Sequence, residues 1–272
     1  MKKIYIFLAL LLLISGCDNG SKPTATNIDI DSSLDRVKEA GVLRWGADVI
    51  GGIPYVYEDP DQPGTYIGFE MDIAKSIARS LGVKQELVIK AWDTLIPELQ
   101  RESFDIAMNG IEDTEERGNI VRFSTPYYLY TQQITVRKNS QGIMSLDDLK
   151  GKKVATLSGS AAEDILRSIP EINVSINPEI IYSYQELEEG KVDAVVLDTP
   201  IAIAYGASNP KLKNVGKPFG EGHYVIAIRG EDNKLSDAIN QALNKLKQSG
   251  ELGEIYKKWG IMNDQQQKAG IK

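Results

Sequence analysis

An alternation of strand and helix signals that runs twice and then reverses is what most limits the folds open to this chain. Val42-Leu43-Arg44-Trp45-Gly46 reads as a strand. Between Gly68 and Gly82, Phe69, Ile73, Ile77 and Leu81 recur at the spacing of an amphipathic helix. Glu86-Leu87-Val88-Ile89 is a second strand, and Asp93 stands where it would cap a short helix through Leu95, Ile96 and Leu99. Phe104-Asp105-Ile106-Ala107-Met108 is a third strand that stops at Asn109-Gly110. Such a β-α-β-α-β run demands a parallel-type sheet with flanking helices, because each parallel pairing needs a crossover connection.

A second run follows. Lys153-Val154-Ala155-Thr156-Leu157 is a strand, Ser158-Gly159-Ser160 a turn, and about Ala162 to Ser168 a helix. Glu179-Ile180-Ile181-Tyr182 reads as a strand, a helix follows near Glu186, and Val192 to Leu197 is a strand ending at Asp198. Between the runs, Gln132 to Arg137 is an extended segment able to cross from one α/β unit to the other. The order then reverses: Tyr224 to Ile228 is a strand, followed by helical stripes at Leu235, Ile239, Ala242, Leu243 and Leu246 and at Leu252, Ile255, Tyr256 and Trp259. Two α/β units imply a ligand site between them, on the rim formed by strand C-terminal ends. Asp48, Gly110, Ser158 to Ser160 and Asp198 all fall at such ends.

Composition narrows the function. Of 272 residues, 42% are hydrophobic and 25% charged, which is globular and excludes wholesale disorder or a polytopic membrane protein. Lys plus Arg is 31 against 38 Asp plus Glu, a formal charge of -7, which argues against nucleic acid as a partner. A single Cys excludes an intramolecular disulfide and a multi-Cys zinc site, and a single His, His223, argues against a His-rich metal site or a Ser-His-Asp triad. No metal and no cofactor are expected. Met1-Lys2-Lys3 is basic, and the apolar run Ile4 to Ile14 is shorter than the roughly 20 residues a membrane-spanning helix needs. It suits the core of a secretory signal peptide over residues 1–16. The polar stretch 17–27 reads as a flexible tether.

Several residues carry chemistry, each with a plainer alternative. Arg117 follows the acidic run Glu112-Asp113 and Glu115-Glu116. A guanidinium there binds a carboxylate through two parallel hydrogen bonds, or simply pairs with its acidic neighbours. Asp198 holds an ammonium or caps the helix after Pro200. Ser158-Gly159-Ser160 favours an anion but lacks the Lys of a phosphate-binding loop. Trp92 stacks on a ligand or packs in the core. His223 reads as a hinge or surface residue.

Ile14-Ser15-Gly16-Cys17 resembles the bacterial lipobox, which implies lipid on Cys17 and cleavage before it. From about Val42 to Trp259 the chain resembles the polar amino-acid-binding proteins of bacterial ABC importers, solute-binding protein family 3. The matching segments are Tyr66-Ile67-Gly68-Phe69-Glu70-Met71-Asp72-Ile73-Ala74, Trp92-Asp93-Thr94-Leu95-Ile96-Pro97-Glu98-Leu99 and Phe104-Asp105-Ile106-Ala107-Met108-Asn109-Gly110. Further on come Phe123-Ser124-Thr125-Pro126-Tyr127-Tyr128, Leu146-Asp147-Asp148-Leu149-Lys150-Gly151-Lys152, Val192-Asp193-Ala194-Val195-Val196-Leu197-Asp198 and Ile255-Tyr256-Lys257-Lys258-Trp259.

The resemblance implies a type II periplasmic-binding-protein fold, α/β, with mixed sheets flanked by helices and a two-strand hinge. Lobe 1 would take 28–128 plus 224–272, lobe 2 would take 132–222, and 129–131 with 223 would form the hinge. It implies that Arg117 clamps a ligand α-carboxylate with Ser160 and the N–H of Ala161. Asp198 and the Gly110 carbonyl would receive the α-ammonium, Trp92 would wall the side-chain slot, and Asp48 would line its far end. It also implies no covalent chemistry, an ABC permease with its ATPase as partner, an extracytoplasmic site of action on a lipid anchor, and a monomer. Two departures stand out. The usual second aromatic wall is replaced by Val49-Ile50-Gly51-Gly52-Ile53-Pro54-Tyr55, leaving Tyr55 or Tyr57 as its substitute. Glu112 stands where relatives often carry Thr or Ser. These features lean to glutamine or a similar polar amino acid, with arginine or lysine next. The runner-up function is a cyclohexadienyl or arogenate dehydratase-like enzyme on the same scaffold, with Glu112 as its acid.

Overall fold

Two mixed five-stranded sheets organise the computed structural model, which describes residues 31–50 and 52–272. Cys17, the apolar run before it and the polar stretch after it lie outside the described residues. The first part of the chain runs α1 (Ser33–Ala40), β1 (Val42–Ala47), the small ribbon β2 (Tyr57–Glu58) and β3 (Tyr66–Ile67), α2 (Phe69–Leu81), β4 (Lys84–Ile89), α3 (Leu95–Gln100), β5 (Ile106–Ala107), α4 (Glu115–Gly118) and β6 (Arg122–Phe123). The middle part runs β7 (Tyr128–Arg137), β8 (Lys153–Leu157), α5 (Ala161–Arg167), β9 (Asn173–Asn177), α6 (Ile180–Glu188), β10 (Ala194–Asp198), the single turn α7 (Thr199–Ile201) and β11 (Leu212–Tyr224). The chain closes with β12 (Ala227–Ile228), α8 (Asn233–Ser249), α9 (Glu251–Lys258) and α10 (Asp264–Lys268).

Sheet 1 has the order β4-β1-β5-β12-β6 and sheet 2 the order β11-β7-β10-β8-β9. In sheet 1, β1 lies parallel to β4 and β5, while β12 runs antiparallel to β5 and β6. In sheet 2, β8 lies parallel to β9 and β10, and β7 runs antiparallel to β10 and β11. The parallel strands are the ones joined through helices, as the alternating sequence pattern requires. Helix α2 turns Phe69, Ile73 and Ile77 fully inward, and α8 buries Leu235, Ile239, Ala242 and Leu243.

The chain passes between the sheets on two adjacent strands. Tyr128 pairs with Tyr224, Leu129 with His223 and Tyr130 with Gly222. Tyr224 stacks on Tyr130 at 4.8 Å and on Tyr128 at 5.5 Å between ring centroids, so an aromatic column stiffens this passage.

The structure corrects the reading of several segments. Glu179 to Tyr182 is not a strand: β9 lies just before it, and Ile180 opens α6. The β-branched Ile180-Ile181 pair suggests a strand, but Ile180, Ser183, Tyr184 and Leu187 are buried at helical spacing, and tertiary packing overrides propensity. Asp93 caps nothing, since Thr94 is the residue before α3 and no side-chain cap bond forms. The strand expected over Phe104 to Met108 pairs only at Ile106 and Ala107. That expected over Tyr224 to Ile228 is split between the end of β11 and β12.

Helix α10 fastens the passage from outside. The Gln266 side chain, 1% exposed, donates from Nε2 to the Leu129 carbonyl at 2.7 Å and accepts the Leu129 N–H on Oε1 at 3.2 Å. Gln266→Ala leaves both backbone groups without a partner, a loss of about 1–3 kcal/mol. A thermal melt should show a fall of several degrees, with no loss of ligand binding below the melting range.

Candidate functional site

Strand ends from both sheets converge on a cavity of about 470 Å³, its mouth included. Asp48, Tyr55, Trp92, Gly110, Glu112, Ser160 and Asp198 line it, together with Asn109, Leu157, Glu179, Ile180, Leu197 and Ile201. Arg117 and Ala161 touch it through Glu112.

On one side, Glu112 and Arg117 from the sheet 1 lobe meet the Gly159–Ala161 turn of the sheet 2 lobe. Arg117 Nη1 donates to Glu112 Oε2 at 2.6 Å and to the Glu112 carbonyl at 3.0 Å, and Nη2 donates to the Gly159 carbonyl at 2.7 Å. The Ala161 N–H donates to Glu112 Oε1 at 3.0 Å. Ser160 opens α5: its Oγ accepts the Glu163 N–H at 3.3 Å and donates to the Leu157 carbonyl at 2.8 Å. Trp92 lies against the guanidinium, 5.0 Å from ring centroid to Arg117 Cζ, and donates from Nε1 to the Asn109 carbonyl at 3.2 Å. Trp92 therefore supports Arg117 as well as lining the cavity.

Asp198 sits beside this pair at the end of β10. Its Oδ1 accepts from Gln132 Nε2 at 2.6 Å and its Oδ2 from the Tyr224 hydroxyl, which in turn meets the Tyr55 hydroxyl at 2.7 Å. Burial, and after it the charge of Glu112, pushes the Asp198 carboxyl well above the usual carboxylate range. It forms no side-chain cap bond to α7. A buried acid so placed gains most from an incoming cation. Tyr55, 3% exposed, is the aromatic residue that joins Trp92 in the cavity wall. Tyr57 instead packs edge-on against Trp259 at 6.1 Å.

An acidic pair spans the lobes. Asp48 follows β1, Glu179 precedes α6, both line the cavity, and each bears on the other's carboxyl. Burial, then the charge of Asp48, raises Glu179 to about 7. Asp48 is also raised, first by burial, although the Ile50 N–H at 2.8 Å opposes the shift. Two carboxyls so close share a proton near neutrality unless a cation sits with them.

Gly110 is held from behind. Its φ of 63° and the Tyr55 ring, 2.8 Å from where a Cβ would stand, both require glycine. Its N–H donates to Glu70 Oε1 at 2.7 Å, and the Tyr127 hydroxyl donates to the same oxygen. Glu70 is fully buried, which raises it to about 7 despite those donors. His223 lies outside the cavity, its ring Nδ1 3.0 Å from Asp113 Oδ2.

Glu179, Glu70, Gln132, Asn109 and Tyr224 were not singled out from the sequence. Glu70 had a signal, since it shares the buried face of Ile73 and Ile77 at helical spacing. Glu179 was hidden by its assignment to a strand.

Residues 48–262 match the family described as bacterial extracellular solute-binding proteins, family 3. The glutamine-binding protein GlnH of Bacillus subtilis is 32% identical, covering 95% of this chain and 97% of its own length. The arginine-binding extracellular protein ArtP of the same organism is 32% identical, covering 92% and 96%. Among solved structures, the ancestral amino acid-binding protein AncCDT-1, a precursor of cyclohexadienyl dehydratase, superposes with a TM-score of 0.78 at 36% identity. That match covers 84% of this chain and 99% of AncCDT-1.

Glu70 and Glu179 bind protons more tightly folded than unfolded, so their contribution to stability is complete below about 4.5 and is lost as pH rises through about 7. The melting temperature without ligand should fall over that window. Glu70→Gln, which keeps the acceptor for Gly110 but cannot ionise, should flatten the fall, and an unchanged pH profile would assign it to other groups.

Proposed function

The chain belongs to the bacterial extracellular solute-binding proteins of family 3, and from that premise we propose that its cleft takes a polar amino acid with a cationic side chain for an ABC importer. The observation that carries the choice of ligand is the Asp48–Glu179 pair. Two acids from opposite lobes oppose closure while both are charged, and a guanidinium or ammonium between them reverses the sign. Glutamine leads when Asp48 is taken alone, because one carboxylate can accept from a neutral amide. With Glu179 added, arginine or lysine moves ahead.

In this reading Asp198 seats the α-ammonium, with Gly110 alongside, and Arg117, Ser160 and Ala161 form the carboxylate cradle. Trp92 and Tyr55 bound the cavity. Residues 129–131 and 223 act as the hinge between lobes 28–128 plus 224–272 and 132–222. Closure around the ligand is the signal the permease senses, which requires the ligand to favour the shut form. The protein works as a monomer on a lipid anchor at Cys17, its signal peptide removed. Cys17→Ser should then move it from the membrane to the soluble fraction; retention in the membrane would reject the anchor. A receptor fits better than a dehydratase. Glu112 is held by two donors as an acceptor, which is the opposite of what a proton-donating acid needs.

The test is a thermal-shift panel of the twenty amino acids with isothermal titration of each responder. A ligand at a hundred times its dissociation constant adds about 2.7 kcal/mol. Arginine or lysine should respond most strongly, and arginine affinity should climb more steeply than glutamine affinity as pH rises through about 7, where Glu179 ionises. Asp198→Ala should abolish the response. Asp48→Asn with Glu179→Gln should move preference toward glutamine, and an unmoved preference would reject the acidic pair as the determinant.

A further inference from the structure

The carboxylate cradle is filled by the protein's own carboxylate. Glu112 Oε2 takes Arg117 Nη1 at 2.6 Å and Glu112 Oε1 takes the Ala161 N–H at 3.0 Å. The second guanidinium arm is committed to the Gly159 carbonyl at 2.7 Å. Ser160 has a single O–H and uses it on the Leu157 carbonyl at 2.8 Å. The ion pair is enclosed, with the Arg117 and Glu112 side chains 13% and 3% exposed. Glu112 does what a ligand carboxylate would do, including the bridge from one lobe to the other. A second carboxylate arriving here meets like charge and finds three of the five Arg117 N–H donors already used. A ligand without one leaves no guanidinium unpaired, and it still finds Asp198 and the Asp48–Glu179 pair in the same cavity, with apolar Leu157, Ile180, Leu197 and Ile201 along the wall.

We propose that Glu112 is an internal substitute for the ligand carboxylate, so that the cleft accepts linear organic cations lacking a carboxylate, of the diamine or guanidinoalkylamine class, as readily as amino acids. The inference rests on reading the cleft as a site for cationic ligands. An amino acid binds by turning Glu112 out of the cradle, and that exchange cancels most of what its own carboxylate gains. The amine needs no exchange. Position 112 thus sets whether the α-carboxylate is required.

Calorimetric titration of the purified full-length protein with arginine and with agmatine, its decarboxylated counterpart, tests this. Wild type should bind the two within tenfold of each other. Glu112→Thr, which empties the cradle, should favour arginine by more than ten times the wild-type ratio, because agmatine then leaves Arg117 unpaired. Glu112→Gln keeps the shape without the charge and should shift the ratio in the same direction; melting curves show that each variant is folded. A wild-type preference for arginine above tenfold, or a ratio unmoved by both substitutions, overturns the proposal while leaving the cationic amino-acid receptor intact. Binding of a neutral amino acid with silence toward both probes overturns the receptor reading, and this inference falls with it.

Discussion

Four carboxyl groups, those of Asp48, Glu112, Glu179 and Asp198, converge on one cavity in which Arg117 pairs with Glu112. A buried charge is tolerated only when it is paired and fully hydrogen-bonded, and otherwise it changes its protonation state. Glu112 meets that condition through Arg117 and Ala161. Asp198 meets it in part, through Gln132 and Tyr224, and burial still drives its carboxyl toward protonation. Burial pushes Asp48 and Glu179 upward as well, and the charge of Asp48 adds to the shift of Glu179. The terms on which the two lobes meet follow from this imbalance.

The fold delivers these groups with little freedom. Asp48 and Gly110 follow strands β1 and β5 and Asp198 ends β10, where a neighbouring strand or a buried side chain holds the backbone. Asn109 Oδ1 accepts the Asp48 N–H at 3.0 Å, and Glu70 accepts that of Gly110 at 2.7 Å. The aromatic column of Tyr128, Tyr130 and Tyr224 packs where the chain crosses between sheets and presents the Tyr224 hydroxyl to Asp198. The residues that touch the cavity are therefore positioned by buried groups, Asn109 within the lining and Glu70, Tyr128, Tyr130 and Tyr224 behind it, as a preorganised site requires.

Much of this was legible in the sequence. Strand-helix alternation reported the two sheets, and strand ends reported Asp48, Gly110, Ser160 and Asp198, because a parallel strand followed by a helix has its C-terminal end on the rim. Glu179 was not legible, for a specific reason. Ile180-Ile181-Tyr182 has strand propensity, and only the burial of Ser183, Tyr184 and Leu187 on one helical face decides the issue. Once that segment is a helix, Glu179 moves from the start of an expected strand to the N-terminal boundary of α6, where it lines the cavity. The pairing of Glu112 with Arg117 was open as an alternative, but its reach to Ala161 is a contact between distant segments that no local pattern encodes.

The two junctions between lobes have opposite character. At Glu112–Arg117–Ala161 the contact is attractive without a ligand, so by itself it favours a shut cleft without cargo. At Asp48–Glu179 the contact is repulsive once both acids ionise, and it becomes favourable only with a cation between them. A ligand shifts an equilibrium between open and shut forms only by its differential affinity for the two. For a ligand without a carboxylate, the latch at Glu112 stays in place and adds nothing to that difference, so in the proposed reading the acidic pair would carry most of it. The pair also makes the difference sensitive to pH: below about 7 the shared proton stands in for the cation and relaxes the repulsion, and above it the repulsion returns. The attractive junction thus sets how easily the lobes meet, and the acidic one sets whether their meeting reports a cargo.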